Sequence, residues 1–419
     1  MQTALADFIR DTAQGREADA ILRACVHCGF CNATCPTYQL LGDELDGPRG
    51  RIYLVKQMLE GAEVSRRTLA HLDRCLSCRN CETTCPSGVQ YGRLADIGRE
   101  LIEEKVKRRW SDRFARWALR KITPYPARFT PLLRLGQFSR PLLPPSLKRK
   151  IPRYRRTAAA YPPLPPGEGR GEGIASRAIS IRKMLVLEGC VQPAIAPNIN
   201  AAAARVLDRL GIRLIAAKGA GCCGAVCHHT SGVEEGLAFA RRNIDAWWPH
   251  TESGCEAIVM TASGCGAHVK EYGHLLQADP SYADRARRVS ELTKDISEIL
   301  AGQDLSALKP AEAGMKVVFH SPCTLQHGQN LNGVVEGILR GLGFTLTPVP
   351  DAHLCCGSAG TYSILQPELS QRLLKNKVDA LQSGHPDVIA TANIGCLAHL
   401  QSGSTVPVRH WVELVASQG

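Results

Sequence analysis

The sequence has no long apolar run and few aromatic residues. No stretch approaches the ~20 apolar residues of a membrane-spanning helix, so we expect no transmembrane segment. The N-terminal residues lack a cationic region followed by a long apolar run, so we also expect no secretory leader. Aromatic residues make up only 5% of the 419 residues, although 44% are hydrophobic. This composition predicts mainly aliphatic cores in two or three domains.

Cysteine is too sparse for a disulfide-stapled miniprotein and unusually frequent for a cytoplasmic protein. The chain has 18 cysteines in 419 residues, and many of them lie in short clusters. Because the cytoplasm keeps thiols reduced, clustered cysteines there indicate bound metal rather than disulfides.

The positive charge belongs to one segment. Residues 105–183 hold 21 Lys and Arg against 3 Asp and Glu, a net charge of +18, whereas the whole chain carries +12. The rest of the chain is therefore acidic, and we expect no general affinity for nucleic acid.

Two identical cysteine motifs lie near the N-terminus. Each reads C-x2-C-x2-C-x3-C-P, the first beginning at Cys25 and the second at Cys75. Three cysteines spaced in this way wrap around one iron–sulfur cubane, and the fourth ligates the other cluster. Zinc also takes four thiolates, but zinc modules usually pair two C-x2-C knuckles. The motifs thus predict two [4Fe–4S] clusters. The expected ligands are Cys25, Cys28, Cys31 and Cys85 for cluster 1 and Cys35, Cys75, Cys78 and Cys81 for cluster 2.

Four cysteine ligands per cluster leave no open position for substrate, which favours electron relay over substrate chemistry. The 39 residues between Cys35 and Cys75 exceed the spacing of a compact bacterial ferredoxin. We therefore predict a helical ferredoxin domain. One of its helices is expected in PRGRIYLVKQMLEG, beginning at Pro48 and ending at Gly61.

An internal repeat follows from Lys183 onward. KMLVLEGC ends at Cys190 and KVVFHSPC at Cys323, and a Cys-Cys-Gly triplet recurs at the same offset of 133 residues. Each copy alternates short β-branched runs with helical stretches, which predicts two α/β units with parallel sheets. The cysteines follow the strand ends, where open α/β sheets bind ligands. The candidate ligands are Cys190, Cys222, Cys223, Cys265 and His268 in the first copy and Cys323, Cys355, Cys356, Cys396 and His399 in the second.

These patterns predict an α+β multidomain protein with four segments. Little of the Pro- and Gly-rich connector is expected to pack regularly, and its GEGRGEG stretch is predicted to be a disordered loop. The segments are a helical ferredoxin domain with two [4Fe–4S] motifs at 1–121, a basic connector at 122–180, repeat 1 at 181–305 and repeat 2 at 312–419.

The motifs carry a family resemblance. CVHCGFCNATCPTYQLLGDELDGPRGRIYLVKQ, TASGCGAHVKEYG and HLCCGSAGTY resemble the CCG-domain iron–sulfur proteins, and among them the iron–sulfur subunits of bacterial glycolate oxidase. The resemblance implies a subunit without flavin that takes electrons from a flavoprotein partner. That partner would oxidise glycolate to glyoxylate, and an acceptor such as quinone would receive the electrons.

One departure from the family pattern leaves alternatives open. The fullest family motif ends in Cys-x2-Cys, and both copies here end in Cys-x2-His. In heterodisulfide reductases the complete set holds non-cubane clusters that attack disulfides, so the change puts such a cofactor in doubt. The repeats either hold additional iron–sulfur or metal sites or serve only to dock partner subunits, and the two histidines favour docking. Alternative functions are a disulfide reductase, or a subunit of a complex oxidising lactate or glycerol 3-phosphate.

A basic segment, KVKRRWSDRFARWALRK, places Val106, Trp110, Phe114 and Trp117 on one helical stripe. Basic helices with an aromatic face can lie on anionic membranes. The segment therefore predicts either peripheral contact with the cytoplasmic face of the inner membrane or a helix packed on its own domain or a partner subunit.

Two other patterns are not assigned to a function. His228 and His229 lack partners at an informative spacing and are interpreted as surface residues. The GxGxxG pattern ending at Gly224 is not preserved in the second copy of the repeat, so we do not expect it to bind a nucleotide.

Overall fold

The computed structural model describes residues 1–142, 144, 151–152, 182–312 and 314–417. The GEGRGEG stretch lies outside these residues. In the described part of the chain, no helix is both long and apolar enough to cross a membrane.

The N-terminal part is helical, as the long spacing between the cysteine motifs predicts. The predicted helix after Pro48 forms and ends at Leu59, and it buries Val55 against the helix that carries Gly98. A Cβ atom on Gly98 would come within 2.5 Å of Val55, so the absent side chain permits this close helix contact. The helices are α1 (Asp7–Arg10), α2 (Ala13–Ala24), α3 (Phe30–Ala33), α4 (Pro36–Leu41), α5 (Pro48–Leu59), α6 (Arg66–Asp73), α7 (Asn80–Thr83) and α8 (Tyr91–Lys105), with a 3-10 turn at Glu44–Asp46.

Two further helices follow, α9 (Trp110–Ile122) and α10 (Pro126–Ser139). Helix α10 lies in the connector that we expected to pack irregularly. The expectation rested on proline and glycine content alone, and it was wrong for this part of the connector. Pro126 lies in the first turn of α10, where a backbone N–H would have no partner within the helix, so proline is tolerated there. A 3-10 turn at Arg140–Leu142 ends the described part of this segment.

Each repeat forms a four-stranded parallel sheet, as predicted. The strands of repeat 1 are ordered β2-β1-β3-β4, and those of repeat 2 follow the equivalent order β6-β5-β7-β8. The strands are β1 (Arg182–Val186), β2 (Ile212–Ala216), β3 (Ile258–Met260), β4 (Thr293–Asp295), β5 (Lys316–His320), β6 (Thr345–Leu346), β7 (Val388–Thr391) and β8 (Val408–His410).

Helices connect the strands and cover the sheets. Repeat 1 contains α11 (Gln192–Ile195), α12 (Asn198–Arg209), α13 (Ala225–His229), α14 (Val233–Glu252), α15 (Ser263–Lys270), α16 (Tyr272–Leu275), α17 (Ala283–Leu292) and α18 (Ile296–Ala301). Repeat 2 contains α19 (Cys323–Gln326), α20 (Val334–Gly341), α21 (Tyr362–Leu365), α22 (Pro367–Gln382), α23 (Ile394–Gly403) and α24 (Trp411–Ala416).

The two repeats pack against each other around a common apolar core. Val206 of α12 and Val412 of α24 are fully buried in the same cluster, as is Val318 of β5. Backbone contacts also cross between the repeats, because the Ser263 N–H donates to the Ala392 carbonyl at 3.1 Å. The strand ends of both repeats, with their cysteines, are therefore held in a fixed relation.

Candidate metal centres

The first cysteine motif curls around a recess near the surface. His27 and Gly29 adopt positive φ angles of 60° and 88°, which turn the backbone between successive cysteines. Cys28 is exposed, and the neighbouring Val26 and Phe30 are 68% and 63% exposed. The cysteines lining this first recess are Cys25, Cys28, Cys31, Cys81 and Cys85.

The second motif repeats the same turn around a deeper recess. Ser77 and Arg79 occupy the equivalent motif positions and have φ angles of 52° and 59°. The cysteines lining this second recess are Cys35, Cys75, Cys78 and Cys81.

The fourth cysteine of each motif lies at the recess of the other motif. Cys85 lines the first recess and Cys35 lines the second, while Cys81 lies between the two. This arrangement supports the exchange of ligands that the C-P ending predicts. Each recess thus offers the four thiol groups that a [4Fe–4S] cluster needs.

The thiols differ in their electrostatic surroundings. Burial raises the pKa of the Cys31 thiol to about 11. Burial would also raise the pKa of Cys75, but the guanidinium groups of Arg51 and Arg99 outweigh it and hold the pKa below its ordinary value. The N–H of Ser77 also points to the Cys75 sulfur at 3.4 Å. The second recess therefore stabilises negative charge on sulfur although it lies in the interior.

Arg51 is held in place by its own partners. The side chain is 1% exposed. Its Nε donates to the His71 carbonyl at 2.8 Å, and its Nη1 donates to the Thr37 hydroxyl at 3.2 Å. Its guanidinium lies 3.5 Å from the buried Asp46 carboxylate. A buried arginine with fixed partners beside thiols fits an anionic metal cluster better than a plain apolar core.

In repeat 1 the predicted cysteines converge at the ends of the strands, but the predicted histidine lies elsewhere. Cys190 packs with Cys222 and Cys223 packs with Cys265, all four after the carboxyl ends of β1, β2 and β3. The His268 ring instead contacts two other histidine rings of the repeat, with centroids 5.4 and 5.8 Å away.

In repeat 2 the four predicted cysteines also converge. The Cys323 and Cys355 sulfurs are 3.9 Å apart, and the Asn393 side chain donates to the Cys396 sulfur at 3.6 Å. The sulfur of Cys355 also accepts from the Gly357 N–H at 3.4 Å. All four cysteines are buried.

A histidine that the sequence did not predict, His320, lies beside these cysteines. His399 hydrogen-bonds to the Ser370 hydroxyl at 3.2 Å. His320 instead offers a nitrogen within 4.8 Å of the sulfurs of Cys356 and Cys396, and its buried Nε2 has no hydrogen-bond partner within the described chain. Sequence reasoning missed His320 because the equivalent residue of repeat 1 is Leu187, so the repeat gave no signal for it.

The second recess and the cysteines of repeat 2 are neighbours. Leu76 and Cys78, from the second motif, pack in one cluster with Cys323 and Cys355. The Tyr362 hydroxyl, in the same cluster, donates to the Arg74 carbonyl at 3.1 Å. In repeat 1, by contrast, Cys190 and Cys222 pack with Phe239 and Tyr125. The two repeats thus share a fold, but the cysteines of repeat 2 lie beside the second recess and those of repeat 1 do not.

The fold and the two recesses define an iron–sulfur protein with a dicluster domain and two cysteine-rich domains. The family model described as "4Fe-4S dicluster domain" matches residues 21–89, and the model described as "Cysteine-rich domain" (CCG) matches residues 184–270 and 317–401. Two [4Fe–4S] clusters and an N-terminal ferredoxin domain followed by two CCG repeats are therefore confirmed as features of the chain.

Relatives extend over nearly the whole chain. The glycolate oxidase iron-sulfur subunit of Escherichia coli (strain K12) is 57% identical over 99% of this chain and 98% of its own length. The probable glycolate oxidase iron-sulfur subunit of Bacillus subtilis (strain 168) is 30% identical over 94% of this chain and 92% of its own length. The chain belongs to the family of glycolate oxidase iron–sulfur subunits.

More distant comparisons agree with the fold. Lactate utilization protein A of Bacillus licheniformis is 26% identical over 55% of this chain and 97% of its own length. The crystal structure of a hypothetical protein from Helicobacter pylori superposes with a TM-score of 0.50 at 9% identity, covering 97% of this chain and 73% of that one. The latter likeness concerns the fold alone.

Proposed function

We propose that this chain is the iron–sulfur electron-transfer subunit of a flavin-dependent complex that oxidises glycolate to glyoxylate. The observation that carries the proposal is the 57% identity to a glycolate oxidase iron-sulfur subunit over 99% of the chain. The two recesses support it, because each presents four thiols and leaves no ligand position open for substrate.

The proposal assigns the ligands to the two recesses according to the motifs. [4Fe–4S] clusters supply one-electron transfer, and the protein controls their potentials through charge, hydrogen bonds and burial. Arg51 and Arg99 stabilise thiolate charge at the second recess, and the exposure of Cys28 makes the first recess accessible to another protein. The proposed ligand sets are Cys25, Cys28, Cys31 and Cys85, and Cys35, Cys75, Cys78 and Cys81.

The relative positions of the sites suggest a direction for electrons. The first recess opens at the surface beside the exposed Val26 and Phe30, where a flavoprotein partner can dock. The second recess is buried against the cysteines of repeat 2. We infer that electrons pass between the partner and the interior through the first recess and then the second.

The cysteines of repeat 2 form the better candidate for an additional iron–sulfur or metal site. Cys355 and Cys356 are 4% and 1% exposed, whereas a surface that docks another protein must be accessible. The partnerless Nε2 of His320 beside Cys356 supplies a further ligand for such a site. These observations favour a cofactor site over the docking surface that the Cys-x2-His endings suggest.

Helix α9 supports peripheral contact with the cytoplasmic face of the inner membrane, where a quinone acceptor would be available. Trp110, Phe114 and Trp117 are 78%, 58% and 49% exposed, so they do not pack on their own domain. Further apolar side chains on the following segment are also exposed, Phe138 at 87% and Leu142 at 90%. Together with the surrounding cationic residues, this surface has the composition of an interfacial helix.

The partner chain decides the substrate. Relatives named lactate utilization protein A share half of this chain, so a lactate-oxidising complex is the second candidate. The experiment is to purify the chain alone and together with its flavoprotein partner, and to follow reduction of a quinone analogue with glycolate, lactate and glycerol 3-phosphate.

We expect glycolate-dependent reduction only by the complex, and the Cys255→Ser variant to retain the rate, because Cys255 lies outside every candidate site. Turnover by the single chain, or a preference for lactate, would contradict the proposal.

A further inference from the structure

A cluster of two histidines and one aspartate joins the ferredoxin domain to repeat 1. Asp96 lies on α8, and His228 and His229 end α13. One ligand atom from each of the three side chains lies within 4.8 Å of the other two. The His229 Nδ1 atom is 3.8 Å from the Asp96 carboxylate. Because Asp96 is far from the histidines in sequence, the set exists only when the two domains are packed together.

One nitrogen atom of the cluster lacks a hydrogen-bond partner. The Nδ1 atom of His228 is buried and has no hydrogen-bond partner within the described residues. A buried nitrogen without a partner is costly, and a bound cation would remove that cost. This atom distinguishes the cluster from an ordinary surface ion pair between His229 and Asp96.

The charge states suit a cation at neutral pH. Burial lowers the pKa of His228, which keeps its imidazole neutral and able to coordinate. Burial would raise the pKa of Asp96, but its hydrogen bond with His229 outweighs burial and holds the pKa well below its ordinary value, so the carboxylate is charged. Metal ligands must be deprotonated in this way.

Two arginines lie near the cluster, and each has other partners. Arg99 is 3.6 Å from the Asp96 carboxylate and also donates to the Cys75 carbonyl at 2.8 Å. Arg79 forms a 2.7 Å ion pair with Glu271. The two imidazole nitrogens favour a cation of the Zn²⁺ class over Mg²⁺, which prefers oxygen ligands.

We propose that Asp96, His228 and His229 bind one divalent cation of the Zn²⁺ class, which links α8 of the ferredoxin domain to α13 of repeat 1. Two imidazoles and a carboxylate form a common ligand set for such ions and leave a fourth position for water. The His268 ring packs beside both histidines, with its centroid 5.4 Å from that of His228 and 5.8 Å from that of His229. The cation is separate from the iron–sulfur clusters because its ligand set contains no cysteine.

Zinc binding to the anaerobically purified, cluster-loaded protein tests the proposal. Metal content is measured after Zn²⁺ is added and excess is removed, and zinc X-ray absorption then identifies the ligand atoms. Nitrogen and oxygen ligands lie at about 2.0–2.2 Å from zinc and sulfur at about 2.3 Å. The variants are Asp96→Asn and His229→Gln. The matched control is His274→Gln, because His274 pairs with the Glu17 carboxylate at 3.2 Å between the same two domains.

We expect the native protein and the His274→Gln variant to retain one zinc with nitrogen and oxygen ligands. The Asp96→Asn and His229→Gln variants should bind zinc at least about tenfold more weakly while their iron content stays unchanged. Two results would overturn the proposal by assigning the metal to the free thiols. One is zinc held only by sulfur, and the other is zinc bound equally by all variants. Failure to retain zinc in the native protein would overturn it as well.

Discussion

Cys35 tests how the two cysteine motifs cooperate, because it belongs to the first motif and lines the second recess. We expect the Cys35→Ala variant to lose or convert the cluster held with Cys75, leaving a three-iron species or an empty site. The first recess keeps its four thiols, so its cluster should persist. Electron paramagnetic resonance of the reduced protein, compared with the Cys255→Ala variant as control, measures both clusters. Loss of the signal from the cluster at Cys25 with the other intact would show that the ligands are not exchanged.

The eight N-terminal cysteines could be found from the sequence because their spacing is local. A C-x2-C-x2-C loop specifies its own geometry, and the structure adds only the positive φ angles that turn it. Residues brought together by tertiary packing gave no such signal. Asp96 and His229 are on different domains, and the position equivalent to His320 in repeat 1 is Leu187. Proximity in these cases depends on how domains and strands pack, which spacing does not encode.

Helix α9 carries a shorter aromatic stripe than the sequence predicts. The predicted stripe includes Val106, but Val106 is buried and follows α8, whereas Trp110 and Trp117 are exposed. The inward face holds Arg116, which pairs with Asp73 at 3.1 Å, and Arg108 just before the helix pairs with the same carboxylate at 2.5 Å. These ion pairs hold the arginine side of the segment against the protein. The spacing of hydrophobic residues carries no information about ion pairs, so the sequence left the orientation of α9 open.

This orientation makes α9 the element to test for membrane contact. Replacing Trp110 and Trp117 with serine should release the protein from anionic vesicles, because the exposed rings supply the apolar contact. Higher salt should weaken binding too, since each cationic residue near the surface contributes on the order of 1 kcal/mol. Cosedimentation with vesicles measures both effects.

The matched control is Ile364→Ser, which removes another exposed apolar side chain, at 49% exposure, from repeat 2. It should leave vesicle binding unchanged. Equal binding by the tryptophan variant and the native protein would instead assign the aromatic face to a partner subunit.

The α/β repeats were the most predictable part of the molecule as a whole. Their strands are short apolar runs that alternate with helices. Comparison of the two copies also indicates where each strand ends. Their pairing with the ferredoxin domain was not predictable, because contacts such as Asn80 to the His353 carbonyl, at 3.2 Å, join residues remote in sequence. Those contacts create the asymmetry between the repeats: one set of cysteines faces the second recess and the other faces aromatic residues.

That asymmetry yields a prediction with an internal control. The Cys355→Ser, Cys356→Ser double variant keeps side-chain size and removes the soft ligands next to the second recess. If repeat 2 holds a cofactor in the electron path, the variant should lose iron and reduce the acceptor at least about tenfold more slowly in the complex. The equivalent change in repeat 1, Cys222→Ser with Cys223→Ser, should leave the rate unchanged, because Cys222 packs with Phe239 and Cys223 packs with Tyr272, not with a recess.

Iron content and acceptor reduction together separate a cofactor site from a docking surface. A docking surface would keep all its iron in the repeat 2 variant and lose only affinity for the flavoprotein, which titration of the partner would reveal. We expect the loss of iron, because Cys355 and Cys356 are buried and cannot contact a partner directly. The two N-terminal clusters should survive, since Cys78 and Cys35 are unaltered. A change confined to electron flow through repeat 2 would then extend the path from the surface recess to the strand ends of the second sheet.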